Sequence, residues 1–141
     1  MSKTTAFAAA FLAAVCVSDV AMADPMTDIS GRWRDSDGES EIDIARCGQA
    51  LCGTIVWLKE PRLDRFNPDA AKRGRTLLGV RVLSGFKPDQ DGATFSGDGY
   101  NPEDGRSYST TLQLKSRTML SIKGCVMGGL VCDDDLWTRQ R

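Results

Sequence analysis

Residues 108–114, Tyr-Ser-Thr-Thr-Leu-Gln-Leu, place Tyr108, Thr110, Leu112 and Leu114 on one face of an extended chain and Ser109, Thr111 and Gln113 on the other. Successive side chains of a strand point to opposite faces, so this pattern predicts a strand with one face on a core. The same period recurs outward in both directions. Glu41-Ile42-Asp43-Ile44 puts both Ile on one face and both acids on the other, and strands are predicted near Ile29 to Arg34, Gly53 to Leu58, Val80 to Phe86 and Ala93 to Ser96. On the C-terminal side they are predicted at Met119 to Gly124 and near Leu136 to Gln140. Turn residues separate them, as in Asp35-Ser36-Asp37-Gly38, Lys87-Pro88-Asp89-Gln90-Asp91-Gly92 and Asn101-Pro102-Glu103-Asp104-Gly105. No stretch carries a sustained apolar stripe of helical period. About eight antiparallel strands with short links, and one long irregular stretch from Lys59 to Arg75, predict an all-β fold. It is a small antiparallel up-and-down β-barrel, whose closure leaves no exposed edge.

The composition narrows the function classes. The chain has 141 residues, 18 basic and 19 acidic side chains, and no histidine. That length fits one domain plus a targeting segment. Without His there is no Ser-His-Asp or Cys-His mechanism and no His-ligated metal site. A net charge of -1 gives no reason to expect nucleic acid as a partner.

Residues 1–23 read as a signal peptide. Lys3 supplies the positive start, Ala6 to Val17 the apolar run, and Ala21-Met22-Ala23 the small-x-small cleavage site before Asp24. The run is shorter than the roughly 20 apolar residues that span a bilayer, so the mature chain, residues 24–141, has no transmembrane segment by this reading. Export to the periplasm or the medium follows. Cleavage leaves 141 - 23 = 118 residues and 5 - 1 = 4 cysteines, Cys47, Cys52, Cys125 and Cys132. Four cysteines allow three pairings. Position favours Cys47 with Cys52 and Cys125 with Cys132, each pair flanking a short turn as a hairpin staple in an oxidising compartment. The spacings are not those of a zinc ribbon, and no metal or cofactor is expected.

Further blocks carry a family pattern: the opening Gly31-Arg32-Trp33, the run Cys47 to Leu58 (CGQALCGTIVWL), Asp64 to Phe86, Tyr100 to Tyr108 (YNPEDGRSY), Gly124-Cys125 and the terminal Trp137-Thr138-Arg139. In this order they resemble a family of exported bacterial proteins known as domain of unknown function twenty-one forty-seven. The resemblance covers the mature chain and implies a lipocalin-like β-barrel, with no established reaction. Gly31 and Trp33 on the first strand and Arg139 on the last look like the lipocalin barrel closure, a guanidinium over an indole face.

The best candidate for ligand contact is the excursion from Asp64 to Arg73, which gathers Asp64, Asn67, Asp69 and Arg73, groups able to grip a polar ligand. A structural reading stands beside it, with Asn67 or Asp69 capping one turn of helix at Ala70 to Arg73 and Asp64 paired to an Arg. Tyr100, Asn101 and Tyr108 join the candidate set, although the Tyr-Asn-Pro-Glu-Asp-Gly segment also reads as a hairpin turn ending in Gly105. The carboxylates of these segments, with Asp133-Asp134-Asp135, raise calcium, but the spacing matches no EF-hand. No Ser or Thr sits in a nucleophile elbow and the mature cysteines are committed to disulfides. The expected function is non-catalytic binding of a small apolar or amphipathic ligand, or of an envelope component. The alternative is a filled barrel acting as an envelope interaction module through the 64–73 loop. A remote third is a hydrolase or isomerase with Asp and Arg at the barrel mouth.

Overall fold

The computed structural model describes residues 16–18 and 23–141. Most of the signal-peptide reading therefore lies outside the described residues. A short helix, α1 (Pro25–Ile29), precedes eight strands: β1 (Gly31–Arg34), β2 (Ser40–Cys47), β3 (Ala50–Leu58), β4 (Arg81–Pro88), β5 (Thr94–Asn101), β6 (Arg106–Ser116), β7 (Met119–Val126) and β8 (Val131–Arg139). Each strand pairs antiparallel with the next, and β1 pairs with β8 through Trp33 opposite Arg139, closing the barrel.

The alternation places Trp33, Ile42, Ile44, Leu51, Phe86, Phe95, Leu112 and Leu120 in the buried core. Two glycines allow this packing at the closed end. A Cβ on Gly97 would sit 2.7 Å from the Phe86 ring, and one on Gly53 would sit 2.8 Å from Leu83. Absent those atoms, the large side chains of β4 cross the lumen. The closed end is plugged further by α1. Asp24 caps it by accepting from the Met26 N–H at 3.1 Å, Pro25 opens it with its φ already helical, and Met26 and Ile29 face the core. The Trp33 indole N–H donates to the Ile29 carbonyl at 2.9 Å, tying plug to barrel.

The strand bounds shift from the sequence reading, and Ile29, read as the start of the first strand, instead ends α1, where its side chain faces the core. β3 begins at Ala50 because the Cys47–Cys52 disulfide holds the β2–β3 hairpin closed to its tip. β5 continues past Ser96 to Asn101, with Gly97 and Gly99 keeping full register against β6. β8 starts at Val131, because Cys132 stands opposite Cys125 in a second disulfide and Asp133 to Asp135 pair with β7. The predicted irregular stretch is real: between β3 and β4 the chain makes only a bridge of Leu63 with Thr76 and a 3₁₀ turn at Ala70–Lys72.

Candidate functional site

Opposite the plugged end, the lumen is open. Strand direction puts four connections there: the β1–β2 turn, the β3–β4 excursion, the β5–β6 turn and the β7–β8 turn. Beneath them lies a cavity of about 490 Å³, within the roughly 300–1,000 Å³ typical of small-molecule sites. Its deep part is apolar, formed by Ile42, Ile55, Leu83, Ile122 and Trp137. The space exists because the lumen-facing positions nearest the mouth are small: Gly99 on β5, Thr110 on β6 and Gly124 on β7. A Cβ on Gly99 would meet Thr110 Oγ1 at 2.5 Å, so only glycine fits beside that threonine.

The mouth is polar and acidic. Asp133 and Asp135 share a face of β8 with Trp137, the floor residue, and stand opposite Gly124 and Ile122. Asp135 accepts from the Trp137 indole N–H at 2.8 Å and from the Leu136 N–H at 2.9 Å, which fixes its carboxylate. Asp35 accepts from the Glu39 N–H at 2.8 Å and the Ser40 hydroxyl at 2.6 Å. Across the opening, Arg62 faces Glu103 at 3.6 Å. Tyr108 lines the cavity and donates its hydroxyl to Asp104. That hydrogen bond, with lesser contributions from burial and from the charges of Asp104 and Asp133, raises the phenol above its ordinary value of 10.0.

Asp64 sits at the root of the excursion, fully buried. Its carboxylate accepts from Tyr100 Oη at 2.5 Å, Asn67 Nδ2 at 2.8 Å and Arg75 Nε at 2.9 Å. Burial alone pushes this carboxyl up, but the hydrogen bonds from Tyr100, Asn67 and Arg75, with the charge of Arg75, outweigh it and hold Asp64 below 3.8. The same pair moves Tyr100 the other way: burial, then the hydrogen bond and charge of Asp64, push its phenol to about 12. Asp64 therefore anchors the excursion to β5 across 36 residues of sequence.

The sequence candidates thus divide in two. Asp64, Asn67 and Tyr100 meet in the anchor, and Arg73 joins them by donating to the Asn67 carbonyl at 2.8 Å. Asp69 stands outside, exposed, capping the 3₁₀ turn by accepting from the Ala71 N–H at 3.0 Å. Tyr100, Asn101 and Tyr108 line the cavity. Arg75, the cation on Asp64, was not singled out by sequence, nor were the lining residues of β2, β3 and β7. The one available signal was the shared parity of Asp133, Asp135 and Trp137. At the closed end, the Arg139 guanidinium lies 4.1 Å from the Trp33 ring centroid, and Gly31 is held at φ 128°, where a Cβ would meet Arg139 Nη1 at 2.8 Å. Trp57 lies on the outer wall beneath Arg34, 4.9 Å from its guanidinium carbon.

The model of a family described as an uncharacterized protein conserved in bacteria, DUF2147, matches residues 31–139. These residues are the whole barrel from the first residue of β1 to the last of β8. No curated protein matches the chain. Among solved structures, the barrel is similar to a protein of the human pathogen Helicobacter pylori described as belonging to the lipocalin family. The TM-score is 0.68 at 19% identity, over 79% of this chain and 82% of that one. It is also similar to a redesigned β-barrel, with a TM-score of 0.50 at 15% identity, over 85% of this chain and 97% of that one. At such identities both likenesses concern the fold.

Proposed function

The chain belongs to the DUF2147 family of proteins conserved in bacteria, and from that footing we propose that it is an exported, non-catalytic binding protein that holds one small amphipathic molecule in its lumen. The observation that carries this reading is the open cavity of about 490 Å³, apolar below and polar at its mouth, the arrangement that binds an apolar body and orients a polar end. An open lumen favours binding over the alternative of a filled barrel. Two hairpin disulfides and the leader-like residues 1–23 support export. The best-placed carboxylate, Asp64, has its oxygens committed to Tyr100, Asn67 and Arg75, which supports binding over catalysis.

Native mass spectrometry of the protein purified from a bacterial periplasm tests the proposal. A bound species of small-molecule mass is expected. Its loss in Gly124→Leu places it in the lumen, since a Cβ at Gly124 meets nothing nearer than Tyr108 Cβ at 3.5 Å and the added side chain occupies the cavity. A bound species that survives this substitution, or a protein that arrives empty and takes up no amphiphile, overturns the reading.

A further inference from the structure

The acidic side chains at the mouth are numerous for a nearly neutral protein. The cavity is bordered by Asp35, Asp37, Glu103, Asp133, Asp134 and Asp135, against the single cation Arg62, which Glu103 already faces at 3.6 Å. The chain as a whole carries 18 basic and 19 acidic groups, so the imbalance belongs to this end of the barrel. One sign of charge around an opening with apolar walls focuses its field into the opening and raises the local concentration of the opposite charge. Two aromatic rings, Tyr100 and Tyr108, share the same rim, and Trp137 closes the floor. Aromatic faces beside carboxylates are the combination that receives an ammonium group, especially a substituted one.

We propose that the ligand of this lumen is an amphiphile with a cationic, ammonium-type head, its apolar body among Ile42, Ile55, Ile122 and Trp137 and its head among Asp133, Asp135 and Tyr108. This rests on the lumen-binding reading above and adds the charge of the head. A bare metal ion suits the rim poorly: the carboxylates come from three separate segments, and among the described residues no group of three or more converges on a metal-holding point. A fatty acid or another anionic amphiphile would bring its charge against these six carboxylates, with Arg62 on the lining and Arg106 near Tyr108 as the cations to offset them. The heads of Asp135 and Asp35 are pre-oriented by their own hydrogen bonds, so a cation finds acceptors already in place and loses little to ordering them.

Calorimetric titration of the intact mature protein with three probes of equal alkyl length tests this: an alkyltrimethylammonium, an alkyl glucoside and a fatty carboxylate, each kept below micelle formation. The ammonium probe is expected to bind at least about tenfold more tightly than the carboxylate. That advantage should shrink as salt is raised, because the Debye length falls from about 10 Å at 0.1 M to about 3 Å at 1 M. The double variant Asp133→Asn/Asp135→Asn should weaken the ammonium probe about tenfold more than it weakens the glucoside, and an equal loss for both probes overturns the cationic head. Equal affinity for all three probes, each abolished by Gly124→Leu, overturns the cationic head and leaves lumen binding intact. Affinity that Gly124→Leu does not touch, or no affinity for any probe, overturns lumen binding itself. Should the double variant not fold, the salt series on the unaltered protein decides alone, and a flat series overturns the proposal.

Discussion

Arg139 covers Trp33, with its guanidinium carbon 4.1 Å from the indole centroid. It also donates Nη1 to the Ser30 carbonyl at 2.8 Å, Nη2 to the Asp28 carbonyl at 2.5 Å and Nε to the Arg117 carbonyl at 2.7 Å. One side chain thus binds the end of α1, the β6–β7 turn and the first-strand tryptophan. Arg139→Ala should lower unfolding free energy by about 2–3 kcal/mol, from the lost cation–π contact and three carbonyls left without their donor. Arg139→Lys should recover less than half of that, because an ammonium cannot present the planar fork. Denaturant midpoints of the three proteins give the comparison, and a lysine variant as stable as the parent would show that charge alone suffices.

Asp64 predicts how the protein behaves in acid. Its folded-state pKa is depressed below 3.8, so its contribution is fully present above that value and is lost as pH falls through the lower, folded-state value. Asp64→Asn should cost about 2–3 kcal/mol at neutral pH, where it leaves donors of Tyr100 or Arg75 facing an amide N–H₂. The gap between parent and variant should hold down to about pH 4 and narrow below it. A gap that stays constant into stronger acid would remove ionised Asp64 from the stability of the excursion.

Tyr100 predicts the alkaline side with the opposite sign. Its phenol is pushed up to about 12, so the stability it contributes is present below 10 and is lost as pH rises toward 12. The chain has two tyrosines, and both are raised. Phenolate absorbance should therefore lag a free tyrosine, with Tyr100 titrating near 12. Tyr100→Phe should abolish that step and cost about 1–2 kcal/mol at neutral pH. A remaining step near 12 in the variant would assign it to Tyr108.

What the sequence made legible follows from where the barrel is filled. β2, β6 and β7 carry Ile42 and Ile44, Leu112 and Leu114, Leu120 and Ile122, so packing wrote a clear period of two into them, whereas register shifts in β4 bury Val82, Leu83 and Phe86 out of that period. The cavity required the opposite: small or polar groups at lumen positions near the mouth. Gly97, which makes room for the Phe86 ring, and Gly99, which opens the mouth, erased the apolar signal from the second half of β5, and Asp133 to Asp135 erased it from the first half of β8, so both strands read as short. The residues that open the site are the ones that hid its walls. The excursion was legible in its local part, Asp69 capping a single turn. Its anchor was not, because Tyr100 and Asp64 are 36 residues apart and no local spacing reports such a contact. α1 escaped notice because one turn of helix carries too few residues for a 3.6-residue period to show.

Gly105 joins the β5–β6 turn, Tyr100-Asn101-Pro102, to the excursion segment Phe66-Asn67-Pro68. It closes the β5–β6 connection with φ 71°, and a Cβ there would lie 1.8 Å from the Phe66 carbonyl oxygen. The turn is otherwise set by its own side chains, Asn101 accepting from the Glu103 N–H at 3.0 Å and Asp104 from the Arg106 N–H at 2.9 Å. Gly105→Ala therefore meets both a left-handed backbone and a neighbouring peptide, and should cost about 2–4 kcal/mol. Because Phe66 lies two residues from Asp64, the change should pull the excursion from β5 and weaken the Tyr100–Asp64 contact. The Tyr100 phenol would then titrate below its value of about 12 in the parent. Gly92, in the β4–β5 turn with φ 68° and no neighbour within 4 Å of a Cβ, serves as the control: Gly92→Ala carries the backbone cost alone, about 1–2 kcal/mol. Equal losses for the two substitutions, with the Tyr100 titration unmoved, would show that the excursion does not depend on the β5–β6 turn for its position.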